Sequence, residues 1–349
     1  MAKIPVAVLG ATGAVGQHFV RLLADHPWFE IVALAASDRS EGRPYREACS
    51  WVIAGDMPAA VRDMVVVRPA PPLPARLVFS ALPVPAAREV EPAFAQAGYA
   101  VCSNAAAFRY DPDVPLIIPE VNADHLSMIE GQLARRGWPG FIVTSPNCTT
   151  TGLVLALKPL DVAFGLRKIF VATMQALSGA GYPGIPSLDI MDNVVPYIGG
   201  EEEKMERETR LLLGHVADGR RSEAPITISA QTNRVAVLEG HTLCVSAGFE
   251  RPPTPEEAVQ VLQQFRGPSS VSGLPSAPQA PLVVRHENDR PQPRRDRDVQ
   301  DGMVVSVGRL RKCPLLDLRM VVVVHNTRRG AAGGALLNAE LLVKLGLVA

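Results

Sequence analysis

The chain has 349 residues, of which 47% are hydrophobic and 20% are charged, with 35 basic and 35 acidic side chains. This length is usual for two domains, and the balanced charge shows no sign of a nucleic-acid or membrane-surface binder. The five scattered cysteines include no CxxC pair, so we expect neither a disulfide framework nor a metal site. The apolar runs are too short to span a bilayer, and we expect a cytoplasmic protein.

The first residues predict a strand, a glycine turn and a helix. The run IPVAVLG at residues 4–10 is typical of a strand buried on both faces of a parallel sheet. Four apolar residues then recur at helical spacing: Val15, Phe19, Leu22 and Leu23. The turn between them contains Gly10, Gly13 and Gly16, whose backbone N–H groups can approach a pyrophosphate. Such glycines also occur for packing alone, so the motif leaves both interpretations open.

Further strand candidates follow along the first part of the chain. They are EIVALAA at 30–36, LVFSAL at 77–82, AVCSN at 100–104 and PLIIPEV at 115–121. Strands that alternate with helical connections predict an α/β fold with a doubly wound sheet over about the first 130 residues.

The end of the second strand bears on the type of dinucleotide. Ser37, Arg39 and Ser40 offer a cation and two hydroxyls, which suit the 2′-phosphate of NADP. Asp38 would instead favour NAD if its side chain pointed into the site. We expect NADP.

The second half of the chain predicts a different sheet. From Phe141 a strand leads into the helical run CTTTGLVLALKPL, and two extended segments follow at 168–177 and 234–250. Residues 266–301 are rich in Pro, Ser and charge and are expected to form long loops. Leucines at helical spacing predict a final helix in the tail.

Cys148 in TSPNCTTTGL is the candidate nucleophile. It stands where a Pro-Asn turn should end and a helix begin, and a helix N-terminus can lower the pKa of a thiol. A free cysteine is otherwise usually a buried packing residue, which we expect of Cys49, Cys102, Cys244 and Cys313. A cysteine nucleophile needs an acid–base partner, and His241, which follows a Glu-Gly turn and opens a strand, is the best candidate.

Ten segments together carry a family resemblance. They are GATGAVGQ, SDRSEGRPY, SNAAAFR, IPEVN, SPNCTTTGL, QALSGAGYPG, NVVPYIGGEEEK, TNRVAVLEGHT, RPQPRRDRD and GMVVSVGRLR. In these segments the sequence resembles aspartate-β-semialdehyde dehydrogenase, and more closely its archaeal and fungal branch. The resemblance implies a Rossmann domain at 1–135 for NADP and an α+β catalytic and dimerisation domain with a mixed sheet at 136–329. The helix within 330–349 would pack back on the first domain.

The resemblance also implies a role for each matching residue. Cys148 would be the nucleophile, His241 the acid–base group, and Gln175 would position the acyl intermediate. Arg234 would hold the substrate α-carboxylate and Glu201 its amino group, with Glu202 as the alternative register; Lys204, Arg109 and Asn104 would bind the phosphate. The remaining candidates for the cofactor site are Gly10, Thr12, Gly13, Ala14, Val15, Gly16, Ser37, Arg39, Ser40, Ser80, Leu82, Ser178, Gly179 and Asn326.

The implied reaction is the NADPH-dependent conversion of L-aspartyl-4-phosphate to L-aspartate-4-semialdehyde and inorganic phosphate, through a thioester on Cys148. It belongs to the biosynthesis of lysine, threonine and methionine, and the implied assembly is a homodimer or homotetramer. Malonyl-CoA reductase and N-acetyl-glutamyl-phosphate reductase share the cysteine, the histidine and the cofactor fold, and they are alternatives. A non-catalytic NADP-binding sensor is a more remote one.

Overall fold

The computed structural model describes residues 2–348, which form a five-stranded sheet, a six-stranded sheet and a two-stranded hairpin. The helices are α1 (Ala14–Leu23), α2 (Tyr45–Ala48), α3 (Val84–Gln96), α4 (Pro119–Asn122), α5 (Met128–Arg136), α6 (Cys148–Phe164), α7 (Ser187–Ile190), α8 (Glu201–Leu213), α9 (Pro255–Gln264), α10 (Pro293–Asp296) and α11 (Gly333–Lys344). None of the helices between residues 2 and 348 is both long and apolar enough to cross a membrane.

The first sheet is parallel throughout. Its strands are β1 (Ile4–Leu9), β2 (Phe29–Ala35), β3 (Leu77–Ser80), β4 (Ala100–Ser103) and β5 (Phe141–Thr144), in the order β2-β1-β3-β4-β5. The last three strands are buried along their whole length, as in sheets covered on both faces. Because β5 pairs with β4, this sheet extends past residue 135, where the sequence places the end of the first domain.

Helices cover both faces of this sheet, which confirms the doubly wound fold. Phe19 of α1 and Leu336 of α11 belong to the buried cluster on one face, together with Val6 and Val8 of β1. Phe94 of α3 packs with alternate residues of the same strand on the other face. The final helix of the chain therefore packs against the first sheet.

The second sheet is mixed, as the sequence predicts for the second half. Its strands are β6 (Leu166–Gln175), β9 (Thr227–Arg234), β10 (His241–Phe249), β11 (Leu282–Arg285), β12 (Val305–Lys312) and β13 (Leu318–Val324), in the order β11-β12-β13-β10-β6-β9. Two parallel pairs, β11–β12 and β6–β9, flank antiparallel pairs in the middle. The separate hairpin consists of β7 (His215–Ala217) and β8 (Arg220–Ser222).

One face of the second sheet carries the second core, and the opposite face is open. Buried residues of α6, α8 and α9 pack with Leu243 and Val245 of β10. The residue between them, Cys244, points to the other face and is exposed, as is Phe170 of the neighbouring β6. The expected burial of Cys244 is therefore wrong, because strand alternation places it on the uncovered side; Cys49, Cys102 and Cys313 are buried.

Two predictions of local structure are also wrong. Residues 115–121 do not form a strand: only Leu116 bridges to β5, and Pro119 opens the short helix α4. The Asn122 side chain accepts from the Ile118 N–H and donates to the Leu116 carbonyl, so these backbone groups are not available to pair with a neighbouring strand. Within 266–301, Leu282–Arg285 forms strand β11, because the apolar run LVVR pairs in parallel with β12.

Candidate active site

The turn at residues 145–148, which ends at Cys148 and is called the nucleophile turn below, connects β5 of the first sheet to α6, which packs on the second. Strand β5 ends at Thr144, and the Asn147 side chain then caps α6 by accepting from the N–H groups of Thr149 at 2.9 Å and Thr150 at 3.1 Å. Asn at this position satisfies N–H groups that have no partner within the helix. Helix α6 begins at Cys148, as the sequence predicts.

Cys148 faces a histidine from the second sheet. The Cys148 Sγ and the His241 Nε2 are 3.3 Å apart, and His241 is the first residue of β10 and fully buried. The Nδ1 of His241 accepts from the Ala176 N–H at 3.0 Å. A neutral imidazole held this way carries its proton on Nε2, the atom that faces the sulfur.

Burial dominates the electrostatics of this pair. Burial, followed by the negative charge of Glu201, raises the pKa of Cys148 to about 12, although hydrogen bonds from Thr149 and the charge of Arg109 oppose the rise. The helix start thus does not lower the thiol pKa on balance, because desolvation of a thiolate outweighs it. Burial and the charge of Arg234 lower the pKa of His241 to about 3, so the imidazole is neutral near pH 7.

A buried carboxylate, Glu201, lies beside the nucleophile. Its two oxygens accept from the Asn147 Nδ2 at 2.9 and 3.0 Å, and Oε1 also accepts from the Thr149 hydroxyl at 3.2 Å and the Gln175 Nε2 at 3.0 Å. The predicted residues Glu201, Gln175 and Cys148 therefore belong to one cluster.

The neighbouring acid, Glu202, points elsewhere. Its Oε1 accepts from the backbone N–H of Thr232 in β9 at 2.8 Å. Of the two registers left open by the sequence, only Glu201 reaches the nucleophile turn.

Arg234 completes this side of the site. It is the last residue of β9, is almost fully buried, and donates from Nη1 to the Ala176 carbonyl at 2.7 Å. A Cβ built at Gly179 would lie 2.7 Å from this Nη1 and 3.1 Å from the His241 Cε1. The structure thus brings Arg234, Gly179 and His241 together.

Arg109 and Asn104 come from the loop after β4. Arg109 donates from Nη1 to the Glu208 Oε1 at 3.0 Å and from Nη2 to the Asn104 carbonyl at 2.9 Å. The Arg109 Nε and the Asn104 Nδ2 are buried without a hydrogen-bond partner among residues 2–348. Two unpaired donors at one place suit an anionic ligand.

Lys204 follows Glu201 on α8 and is half-buried, but it is not among the residues that line the cavity described below.

A cavity of about 780 Å³ opens in front of Cys148. Eight residues predicted from the sequence line it: Ala14, Val15, Asn104, Arg109, Cys148, Ser178, Gly179 and Asn326. Asn326 accepts from the Gly240 N–H at 2.9 Å and donates to the Ser178 hydroxyl at 2.8 Å, which joins the chain after β13 to the cavity wall. Gly330 also lines the cavity and lies against the nucleophile, since a Cβ there would come within 2.6 Å of the Cys148 Cβ.

The glycine turn combines packing with an open helix end. Gly10 has φ +77°, and a Cβ there would lie 2.7 Å from the Ala81 carbonyl oxygen, while a Cβ on Gly16 would overlap the Gly10 carbonyl. Gly13 precedes α1 and offers no side-chain cap, so the N–H groups of the first turn stay available beside Ala14 and Val15. Gly10 and Gly16 therefore serve close packing, while a role of the open helix end in binding a pyrophosphate stays a prediction.

Other predicted cofactor residues lie behind this turn. The Thr12 backbone carbonyl accepts a hydrogen bond from the Gln17 Nε2 at 3.0 Å. Ser80 and Leu82 are buried around the end of β3, under the glycine turn, and are not among the lining residues of the cavity.

The segment after β2 is mostly exposed. Asp38 pairs with Arg68 at 3.3 Å, whereas the exposed Arg39 has neither a hydrogen bond nor an ion pair within residues 2–348. Ser37 and Ser40 form a turn, in which Ser40 is buried. Arg68, which the sequence did not single out, adds a second cation at this place.

Sequence reasoning missed Glu208, a fully buried acid on α8. It contacts Arg109 and the Asn147 N–H. The available signal was its spacing, because Glu208 follows Glu201 by about two helical turns and so shares its face. It also missed His18, Glu239 and Arg297, which line the cavity.

Nowhere in residues 2–348 do three or more His, Cys, Asp or Glu side chains form a group that could hold a metal ion.

Two family models match the chain in succession. Residues 5–129 match the semialdehyde dehydrogenase NAD-binding domain, and residues 157–329 match the semialdehyde dehydrogenase dimerisation domain.

Full-length relatives give the same result. An aspartate-semialdehyde dehydrogenase of Archaeoglobus fulgidus is 52% identical over 98% of both chains, and one of Schizosaccharomyces pombe is 45% identical over 100% of both. The crystal structure of the Candida albicans aspartate-semialdehyde dehydrogenase with NADP superposes with a TM-score of 0.92 at 44% identity, covering 99% of this chain and 100% of that one. The chain belongs to the aspartate-semialdehyde dehydrogenase family.

Proposed function

We propose that this chain catalyses the NADP-dependent interconversion of L-aspartyl-4-phosphate and L-aspartate-4-semialdehyde, with inorganic phosphate as the second product of the reductive direction. The observation that carries the proposal is the Cys148–His241 pair, 3.3 Å apart, in which Cys148 lines the cavity and the charges of Glu201 and Arg234 act on the pair from behind it. Membership of the family supports the same reaction. The product aldehyde is a precursor of lysine, threonine and methionine.

The buried charges next to Cys148 fit an amino-acid substrate. The Arg234 guanidinium binds the α-carboxylate, for which its planar fork of donors is suited. Glu201 binds the α-amino group as a charge-assisted hydrogen bond acceptor. The Vibrio cholerae relative that was crystallised with ASA superposes with a TM-score of 0.78 at 26% identity.

The acyl phosphate lies toward the loop after β4. Arg109 and Asn104, each with an unpaired buried donor, hold the phosphate oxygens. Lys204 on α8 is the second cation assigned to the phosphate. These donors stabilise the charge that accumulates on the departing phosphate.

The residues present fit NADP. The uncapped start of α1 suits a pyrophosphate, because free N–H groups and the helix dipole favour negative charge. Asp38 is paired with Arg68, whereas the Arg39 guanidinium is free to take a 2′-phosphate. When bound, the reduced cofactor supplies the hydride that converts the thioester to the aldehyde level.

The chain's own residues carry out the acyl transfer. The Cys148 thiolate attacks the acyl carbon, a C–S bond forms, the C–O bond to phosphate breaks, and its electron pair leaves with inorganic phosphate. His241 donates its Nε2–H to the sulfur, which stabilises the thiolate before the attack and again when the tetrahedral adduct of Cys148 collapses and the sulfur leaves. Gln175, which donates to Glu201, keeps this carboxylate and the bound acyl group in place.

Several further features belong to the same proposal. Residues 1–135 with the helix of 330–349 bind the cofactor, and 136–329 form the catalytic and dimerisation part, supported by the two family-model matches. The active assembly is a homodimer or homotetramer. The location is cytoplasmic, supported by five free cysteines, which are usual in reducing compartments.

The test is an assay of NADP reduction by the purified protein with L-aspartate-4-semialdehyde and phosphate. Parallel assays replace NADP by NAD, and the substrate pair by malonate semialdehyde with CoA or by N-acetylglutamate semialdehyde with phosphate. We expect phosphate-dependent turnover of the first substrate. Turnover with CoA alone would support a malonyl-CoA reductase instead, and NADP binding without any turnover would support a sensor.

A further inference from the structure

We propose that Glu208 is a positioning residue that couples the phosphate-binding Arg109 to the nucleophile turn. The inference rests on the proposed roles of Arg109 and Cys148. Glu208 itself touches neither the thiol nor the cavity in front of it.

The two oxygens of this carboxylate hold two different parts of the site. Oε1 accepts from the Arg109 Nη1 at 3.0 Å and from the Tyr110 hydroxyl at 3.3 Å. Oε2 accepts from the backbone N–H of Asn147 at 2.6 Å. One side chain thus joins the loop after β4 to the residue that precedes Cys148.

Glu208 is fully buried, which makes these contacts obligatory. A buried carboxylate is expensive unless it is paired and hydrogen-bonded on both oxygens. Here both oxygens are satisfied, and Arg109 supplies the compensating charge. The position of Arg109 and the position of the Asn147 backbone therefore depend on the same group.

Asn147 receives a second hold from the same helix. The Asn147 side-chain amide donates to Glu201, and the Asn147 backbone N–H donates to Glu208. Both acceptors lie on the same face of α8. Asn147 in turn caps α6 and so fixes where Cys148 stands. A displacement of Arg109 by an incoming phosphate is transmitted to the nucleophile turn through Glu208.

Glutamine cannot replace this carboxylate. Glu208 accepts from donors on both oxygens, whereas an amide offers one acceptor and one N–H₂ group. In Glu208→Gln the amide oxygen keeps the short bond to Asn147, and the amide N–H₂ faces the Arg109 guanidinium. Arg109 then loses its anchor on this side and keeps only the Asn104 carbonyl.

The test is steady-state kinetics of Glu208→Gln in the phosphate-dependent oxidation of the aldehyde. We expect the KM for inorganic phosphate to rise about tenfold to a hundredfold, the range for a hydrogen bond to a charged group. The KM for NADP should not change. The rate of Cys148 alkylation by iodoacetamide, measured without substrate, should also differ from wild type, because the nucleophile turn has lost a fixed neighbour.

Glu203→Gln is the matched control, since Glu203 lies on the same helix and is exposed. It should leave both readouts unchanged. If wild type shows no phosphate-dependent turnover, the proposed function fails first. If wild type turns over and Glu208→Gln keeps the wild-type KM for phosphate, the coupling is refuted while the proposed function stands.

A second variant covers a folding defect. Glu208→Asp keeps the charge, but its shorter side chain cannot reach both Arg109 and Asn147, so it should show the same rise in the KM for phosphate. If circular dichroism shows that neither variant folds, Glu208 serves the fold alone and the proposal is overturned.

Discussion

The Nε2 of His241 lies 3.3 Å from the Sγ of Cys148, while its Nδ1 accepts the Ala176 N–H. The backbone bond fixes the tautomer, so the imidazole presents a proton donor to the sulfur. A neutral donor can stabilise a thiolate, but it cannot remove the thiol proton without a change of tautomer. The thiolate must therefore be favoured by a change elsewhere in the site.

Glu201 is the group through which that change can occur. Its negative charge raises the pKa of Cys148, and a bound substrate ammonium would neutralise it. In Glu201→Gln the repulsion is absent, so the thiol pKa falls and the thiolate fraction near pH 8 rises, about tenfold for each pKa unit. We expect faster alkylation by iodoacetamide despite slower turnover. Glu202→Gln is the control, and slower or unchanged alkylation of Glu201→Gln would contradict this account.

Gly330 tests how tightly the nucleophile is placed. In Gly330→Ala the new methyl group would lie 2.6 Å from the Cβ and 2.9 Å from the Cα of Cys148, which sits at a capped helix start and cannot yield freely. A displacement of the reacting atom by about 1 Å can cost about a hundredfold in rate. We expect a loss of kcat of this order, measured by NADPH formation. Gly248→Ala, which meets only ordinary contacts, should keep normal activity; an equal loss in both variants would argue against specific displacement.

Arg39 tests the choice of dinucleotide. If its guanidinium holds the 2′-phosphate, Arg39→Ala should lower kcat/KM for NADP about tenfold or more, the value of one charge-assisted hydrogen bond. The kcat/KM for NAD, which lacks this phosphate, should stay the same. Arg62→Ala serves as a control, since Arg62 is exposed and binds the Met57 carbonyl. Equal losses with both dinucleotides would remove Arg39 from the phosphate site.

Glu91 gives the fold a specific pH dependence. It is fully buried on α3, where the Ser103 hydroxyl donates to its Oε1 at 2.6 Å, and burial raises its pKa to about 7. Between its unfolded value of about 4.3 and about 7, the unfolded chain is ionised while the folded chain keeps its proton, so this group makes stability fall as pH rises. The full effect is on the order of 4 kcal/mol.

Glu91→Gln should remove that part of the pH dependence. Denaturant unfolding at pH 5 and pH 8 measures it, with the exposed Glu89→Gln on the same helix as the control. A pH profile of Glu91→Gln identical to that of wild type would show that Glu91 does not titrate in this range.

The sequence predicted those features that depend on local pattern. The strand and glycine turn at the start, the helix start at Cys148 and the strand start at His241 all follow from apolar periodicity and turn chemistry. The helix α4 was missed because the apolar run before it resembles a strand, and the Asn122 side-chain bonds that replace the ladder are not visible in a pattern.

Long-range properties were harder to predict. Glu208 looked like one of many charges on a solvated helix, since its partners Arg109 and Asn147 lie far away in the sequence. The raised pKa of Cys148 likewise depends on burial and on Glu201, which is brought to it only by the fold.

The most direct test of the central claim compares Cys148→Ala with Cys244→Ala. Turnover of L-aspartate-4-semialdehyde with phosphate and NADP is measured together with NADPH binding by fluorescence. Cys148→Ala should lose turnover to the background level and still bind NADPH, while the exposed Cys244→Ala should match wild type in both. A Cys148→Ala enzyme that keeps most of its activity would contradict the account, because no other thiol lines the cavity among residues 2–348.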